Sequence, residues 1–74
     1  MAIQMKDCNL QIELWEAMKR QEAFVSACWA YKRRERTEEP TAFEFGIPWS
    51  LAEVLARQVQ KEFEQRVLRK LVAA

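Results

Sequence analysis

The chain has 74 residues, which allows one domain at most and a single hydrophobic core of barely sufficient size. Half of the residues are hydrophobic and 31% are charged, a composition that excludes an intrinsically disordered chain. Lysine and arginine total 12 against 11 aspartate and glutamate residues, which gives a formal charge of +1. A protein that coats nucleic acid or an anionic membrane needs a clear excess of cations, so this balance argues against both roles.

The first predicted element is a helix over residues 7–37, which a connection over residues 38–49 follows. The helical segment contains neither glycine nor proline, and Asp7 is its predicted N-cap. Residues 1–6 are predicted to be either a frayed lead-in or one further turn of this helix. Its apolar residues recur at spacings of three, four and seven, which places them on one side of an α-helix. They form two adjacent stripes, which are Leu10, Leu14, Ala17, Phe24, Cys28 and Tyr31, and Trp15, Met18, Val25 and Trp29. Together the stripes are wider than one partner helix can cover.

Two prolines, Pro40 and Pro48, bound the irregular part of the connection, because proline disfavours helical geometry at the residue before it. Between them Phe43, Phe45 and Ile47 alternate with other residues in a period of two. This pattern predicts either an extended loop that lies over the helices or one half of a strand pair across a dimer.

The second helix is predicted over residues 50–73. Ser50 and Glu53 fit a capping box, in which the serine caps a backbone amide and the glutamate returns a hydrogen bond. The apolar residues that follow step by four along the helix, and they are Leu55, Val59, Phe63, Val67 and Leu71. This spacing predicts one continuous apolar face.

The predicted fold class is all-α, with one domain over residues 1–74. Two long helices joined by a short Pro/Phe-rich loop predict an antiparallel helical hairpin. Two such hairpins, packed face to face, would hide the surplus apolar surface in a dimeric four-helix bundle. This architecture is similar to that of small hairpin-dimer regulators of the plasmid-encoded RNA-binding kind, and a likeness of shape carries no function.

The residue types needed for catalysis are scarce. There is no histidine, one glycine, and two cysteines that form no C-x-x-C pair, so the sequence predicts no enzyme, no cofactor and no metal site. Cys8 and Cys28 are expected to be reduced thiols. Neither a secretory hydrophobic segment nor a membrane span is apparent, which predicts a cytoplasmic protein without membrane association.

The function predicted first is protein binding, as a regulator, inhibitor or adaptor that acts as a homodimer. A phage or mobile element would be an unsurprising source. Aromatic residues dominate interface energetics, and the candidate residues for the dimer or the partner interface are Trp15, Met18, Glu22, Val25, Trp29, Phe43, Phe45 and Trp49. Two interpretations stay open for the three aromatic residues near the connection, since they could bind a partner protein or cap the core.

The alternative function is a dimeric nucleic-acid-binding transcriptional regulator. Its candidate contacts are four cations at the end of the first helix: Lys32, Arg33, Arg34 and Arg36. They follow Trp29 and Tyr31, and basic residues beside aromatic residues are typical of nucleic-acid binding. The same cations also complement the negative end of the helix dipole, which explains them without any ligand.

Overall fold

The computed structural model describes the backbone of residues 3–73 and the side chains of residues 10–72. It contains three helices: α1 (Ile3–Lys32), α2 (Ala42–Phe45) and α3 (Trp49–Ala73). The two long helices pack against each other, and α2 contacts both. The all-α prediction is therefore confirmed, and residues 3–73 contain no strand.

Helix α1 begins before Asp7, which agrees with the alternative of one further turn, and it ends earlier than predicted. It starts at Ile3, so Asp7 lies within the helix and its assignment as the N-cap is wrong. It ends at Lys32 rather than near residue 37. The first turn of a helix is defined by amide groups without helical partners. The spacing of apolar residues carries no information about where those amides lie, so it does not locate the start of the helix.

The end of α1 is a Schellman motif, a hydrogen-bonded stop built around one left-handed residue. Arg34 holds that position with φ 62°. Its N–H donates to the Tyr31 carbonyl oxygen at 3.1 Å, and the Glu35 N–H donates to the Ala30 carbonyl oxygen at 2.9 Å. Glycine is usual at this position, so the sequence contains no visible signal for the stop.

The predicted extended or strand-like segment is wrong, because residues 42–45 form the short helix α2. The Thr41 side chain accepts a hydrogen bond from the Glu44 N–H at 3.2 Å, which caps its start. Gly46, with φ 64°, ends it. Residues two apart on a helical turn point to nearly opposite sides. The alternation of Phe43 and Phe45 therefore fits a helical turn as well as a strand.

Helix α3 begins at Trp49, one residue before the predicted cap. The Ala52 N–H donates to the Pro48 carbonyl oxygen at 3.0 Å and opens the helical ladder. Ser50 lies in the first turn, so its assignment as the N-cap is wrong. Proline is pre-organised for a helix start because its φ is fixed near the helical value.

The connection returns the chain to the middle of α1 before α3 begins. The Phe45 ring packs edge-on against the Phe24 ring, with 5.8 Å between centroids. Gly46 faces Arg20, whose Cδ atom lies 3.8 Å from the position a Cβ atom would take. Because residue 46 lies level with residue 20, the following helix starts beside the centre of α1 and not beside its end.

From that point α3 extends in the same direction as α1, so the predicted antiparallel hairpin is wrong. Leu55 lines a surface pocket with Met18 and Val25. Further along, the Lys32 ammonium group donates a hydrogen bond to the Gln60 side chain. Residues later in α3 thus lie beside residues later in α1, whereas in an antiparallel pair they would lie beside residues earlier in α1.

The parallel helices are staggered lengthwise. The molecule measures 62 × 26 × 20 Å, whereas α1 alone is about 45 Å long at 1.5 Å per residue. The core lies where the two helices overlap, and its buried residues are Phe24, Ala27, Cys28, Ile47, Ala52 and Val59. The N-terminal half of α1 and the C-terminal end of α3 consequently extend beyond the overlap.

Candidate functional site

The part of α1 before the overlap carries an uncovered apolar surface, which we call the apolar overhang. Its residues are each more than half exposed, and they are Leu10, Leu14, Trp15 and Met18. Leu10, Leu14 and Met18 step by four, so they lie on one side of the helix. That side continues into the residues that α3 covers. Exposed apolar patches of this kind mark interaction sites.

The predicted interface stripe of α1 is divided by the stagger. Trp15, Met18 and Glu22 are exposed, whereas Val25 and Trp29 are half-buried. The two indoles that the sequence places on one side of the helix therefore have different surroundings. The Lys19 ammonium lies 3.8 Å from the centroid of the Trp15 ring.

The aromatic residues around α2 divide in the same way. Phe45 packs against Phe24 and belongs to the edge of the core. Phe43 is 97% exposed and Trp49 is 72% exposed. The structure thus assigns the capping role to Phe45 and leaves the other two rings available for a partner.

Three of the four predicted basic residues make contacts within the chain. Arg33 forms an ion pair with Glu35 at 3.0 Å. Arg36 forms an ion pair with Glu44, and its guanidinium Nε also donates to the Glu38 carbonyl oxygen at 2.8 Å. Surface ion pairs of this kind contribute about 0–1 kcal/mol each. Another anion can therefore replace the glutamate partner of either arginine at little cost.

Lys32 and Arg34 complete the predicted cluster. The Lys32 ammonium donates to Gln60 and lies 5.7 Å from the centroid of the Phe63 ring. Arg34 is exposed at the end of α1. The stop at Arg34 turns the chain, so the four cations do not continue along one helix face.

Helix α3 adds cations that the sequence interpretation missed. A cavity of about 440 Å³ lies between the long helices, and the residues that line it are Trp29, Arg33, Phe63, Arg66, Val67, Arg69 and Lys70. The Arg66 guanidinium lies 4.5 Å from the centroid of the Trp29 ring. An antiparallel hairpin would place Arg69 and Lys70 far from Arg33, which is why this group was not predicted.

A second cavity, of about 530 Å³, shares Phe63 with the first, and it is lined by Tyr31, Lys32, Arg34, Arg36, Thr37 and Phe63. We use the name basic surface for the cations around both cavities, which are Lys32, Arg33, Arg34, Arg36, Arg66, Arg69 and Lys70. Two chain segments that are thirty residues apart thus form one surface.

A third cavity, of about 260 Å³, reaches the buried Cys28. Burial raises the pKa of the Cys28 thiol above its usual value of 9.0, and the Glu39 carboxylate raises this pKa further, while Lys32 and Arg36 lower it. A thiol that keeps its proton is a poor nucleophile and a poor metal ligand. Among the residues described, no three potential ligands group together to hold a metal ion.

Comparisons with known proteins add no relative. No protein-family model, curated protein or solved structure matches the chain. Within the described residues, no helix is both long enough and apolar enough to cross a membrane. The candidate interaction sites are therefore the apolar overhang, the basic surface and the exposed rings of Phe43 and Trp49.

Proposed function

We propose that the protein is a non-enzymatic interaction protein that acts as a homodimer and regulates, inhibits or links another protein. The observation that carries this proposal is the apolar overhang, and the total exposed surface of the chain agrees with it. The chain exposes 6526 Å², whereas a compact monomer of 8.8 kDa exposes about 4,800 Å². The radius of gyration is 16.7 Å, compared with about 11 Å for a compact domain of 74 residues.

The excess surface has the size that association requires. It amounts to about 1,700 Å² per chain, and each partner of a standard interface buries about 800 Å². A second copy is the occupant that is always present at matching concentration. Leaving the apolar overhang in water forfeits about 25 cal/mol for each Å² of apolar surface. Self-association is therefore the most direct way to stabilise this chain.

In the proposed dimer, the apolar overhangs of two copies pack against each other across a two-fold axis. Leu10, Leu14 and Met18 of one copy then interdigitate with the same residues of the other, as in other helix pairs. Trp15 lies beside them and supplies a large aromatic contact. The α1 pair alone holds this assembly together, in place of the two stacked hairpins of a four-helix bundle.

The surface proposed for the partner protein lies elsewhere, on α2 and the start of α3. Phe43 and Trp49 expose most of their rings, and aromatic residues are the usual anchors of protein interfaces. A dimer presents this pair of rings twice, which raises the avidity for a partner with two sites. A cytoplasmic location and a phage or mobile-element source stay predictions.

Sedimentation velocity at micromolar concentration tests the dimer. Leu14→Glu places a charge in the proposed interface, so we expect this variant to sediment as a monomer while the wild type sediments as a dimer. Ile12→Glu is the matched control, because Ile12 is equally exposed but lies on the opposite side of α1. Equal dissociation by both variants, or a monomeric wild type, would contradict the proposed interface.

Capture of partner proteins with the purified dimer, after nuclease treatment, tests the second surface. We expect Phe43→Ser and Trp49→Ser to lose a protein that the wild type and Ile12→Glu both retain. All four proteins should keep the same helicity by circular dichroism. An unchanged set of captured proteins would remove these rings from the proposal.

A further inference from the structure

Seven of the 12 cations in the chain belong to the basic surface. They come from the end of α1, from the turn after it and from the last third of α3. The formal charge of the whole chain is only +1, so this grouping concentrates positive charge in one region. A local concentration of like charge raises the potential for a polyanion even when the net charge is small.

The carboxylates of this region lie outside the two cavities, and Glu35, Glu38 and Glu44 line a neighbouring cavity that shares Arg36 and Thr37. None of the described residues that line the two cavities is acidic. Ion pairs hold Arg33 to Glu35 and Arg36 to Glu44. Among the side chains of residues 10–72, the other five cations of the basic surface form no ion pair. Their charge is therefore available to a ligand.

Arginine and aromatic residues give this surface its chemical preference. Five of its seven cations are arginines, whose planar guanidinium groups bind phosphate in a bidentate way and stack on flat rings. Trp29, Tyr31 and Phe63 line the same cavities. Phosphate-binding cations beside aromatic rings are the combination that binds single-stranded nucleic acid, where bases stack and phosphates pair.

We propose that the basic surface binds single-stranded nucleic acid, with phosphates on the cations and bases against Phe63 and Tyr31. The aromatic rings in the two cavities favour a strand over a duplex, since the bases of a duplex are already stacked on each other and cannot stack on protein rings. An anionic membrane would need apolar residues among the cations. Val67 lines the first cavity, and the exposed Val72 lies one helical turn from Arg69, so vesicles of anionic lipid are a competitor in the test below.

Fluorescence anisotropy with a short labelled oligothymidine strand tests the proposal. The variant Arg69→Gln/Lys70→Gln removes two cations that α3 contributes to the basic surface and leaves the four cations at the end of α1 unchanged. We expect its affinity to fall on the order of tenfold and the salt dependence of log K to decrease by about 1.4, the value for two lost phosphate contacts on a single strand. Such a result would show that both helices contribute.

The matched control is Arg57→Gln/Lys61→Gln, which changes the net charge equally. Both residues are exposed on α3, and neither lines the two cavities of the basic surface. We expect this control to bind like the wild type. If both double variants weakened the affinity for the strand equally, net charge alone would explain the effect, and the proposed binding site would be wrong.

Two further arms identify the ligand class. Phe63→Leu should lower the affinity at least about fivefold through lost stacking, with the salt dependence unchanged and the fold verified by circular dichroism. Duplex DNA of the same sequence length, polyglutamate and vesicles that contain phosphatidylserine are competitors. Stronger competition by any of them than by the unlabelled single strand would overturn the assignment to single-stranded nucleic acid.

Discussion

The two halves of α1 carry the same apolar pattern, but only one half is covered. Phe24 is 2% exposed, whereas Leu14 is 56% exposed. The pattern does not distinguish them, because both belong to the same predicted apolar stripe. The difference arises from the position at which α3 starts, and the connection between residues 33 and 48 sets that position. An apolar stripe therefore predicts that a face is buried by something, but not which element covers it.

The largest expected effect comes from truncation in the covered half. Phe24→Ala should lower the free energy of unfolding by about 3–5 kcal/mol, because it leaves a cavity among packed side chains. Urea denaturation followed by circular dichroism measures this change. For a small domain such a loss is a large share of the total stability.

Leu14→Ala is the counterpart in the uncovered half. Below the concentration at which the chain associates, we expect it to change the free energy of unfolding by no more than about 0.5 kcal/mol, as exposed substitutions do. At higher concentration the loss should grow, because dimerisation stabilises the wild type through this residue. Equal losses from both substitutions in the monomer would remove the contrast between the two halves.

A smaller effect is expected where the covered half ends. Arg34→Gly should raise the free energy of unfolding by about 0.5–1 kcal/mol, because glycine adopts a positive φ without the steric cost that other residues carry. Arg33→Gly is the control, since Arg33 precedes the left-handed position and should lose stability. Thermal unfolding measures both. Destabilisation by Arg34→Gly would contradict the Schellman stop.

The smallest effect at neutral pH concerns Cys28. Because its pKa is raised in the folded state, the unfolded thiol ionises first as the pH rises through 9.0. Stability is then fully present below that pH and falls as the pH rises toward the folded pKa. In a Cys8→Ser background, the alkaline loss should be larger with Cys28 than with Cys28→Ala. Parallel stability curves for these two proteins up to alkaline pH would show that the thiol pKa is unperturbed.

The existence of the two long helices could be predicted, but their relative direction could not. Periodicity is a local property, so it identified α1 and α3 to within a few residues. The direction depends on Arg34 and on the short helix α2. Arg34 adopts a conformation that usually belongs to glycine, and α2 has an apolar alternation that also fits a strand. No local signal in either segment indicates that the chain returns to residue 20.

The residues of the candidate surfaces could be predicted only where they lie on one helix, because periodicity is a local property. Trp15 and Met18 were named as interface candidates because their helical spacing forms an apolar stripe. The structure leaves both residues exposed. Arg66, Arg69 and Lys70 were missed because they join Lys32 only when the helices are parallel. A contact between distant segments needs the fold, and residue types alone did not supply it.

The lengthwise offset of α1 and α3 gives each molecule two unlike ends. The end formed by α3 carries Arg69 and Lys70 beside the exposed Leu68, Leu71 and Val72. If the α1 end of one molecule packed on the α3 end of the next, Arg69 and Lys70 would lose water against aliphatic side chains, which is costly. Two α1 ends that meet each other avoid that cost, and both α3 ends then point outward, far apart.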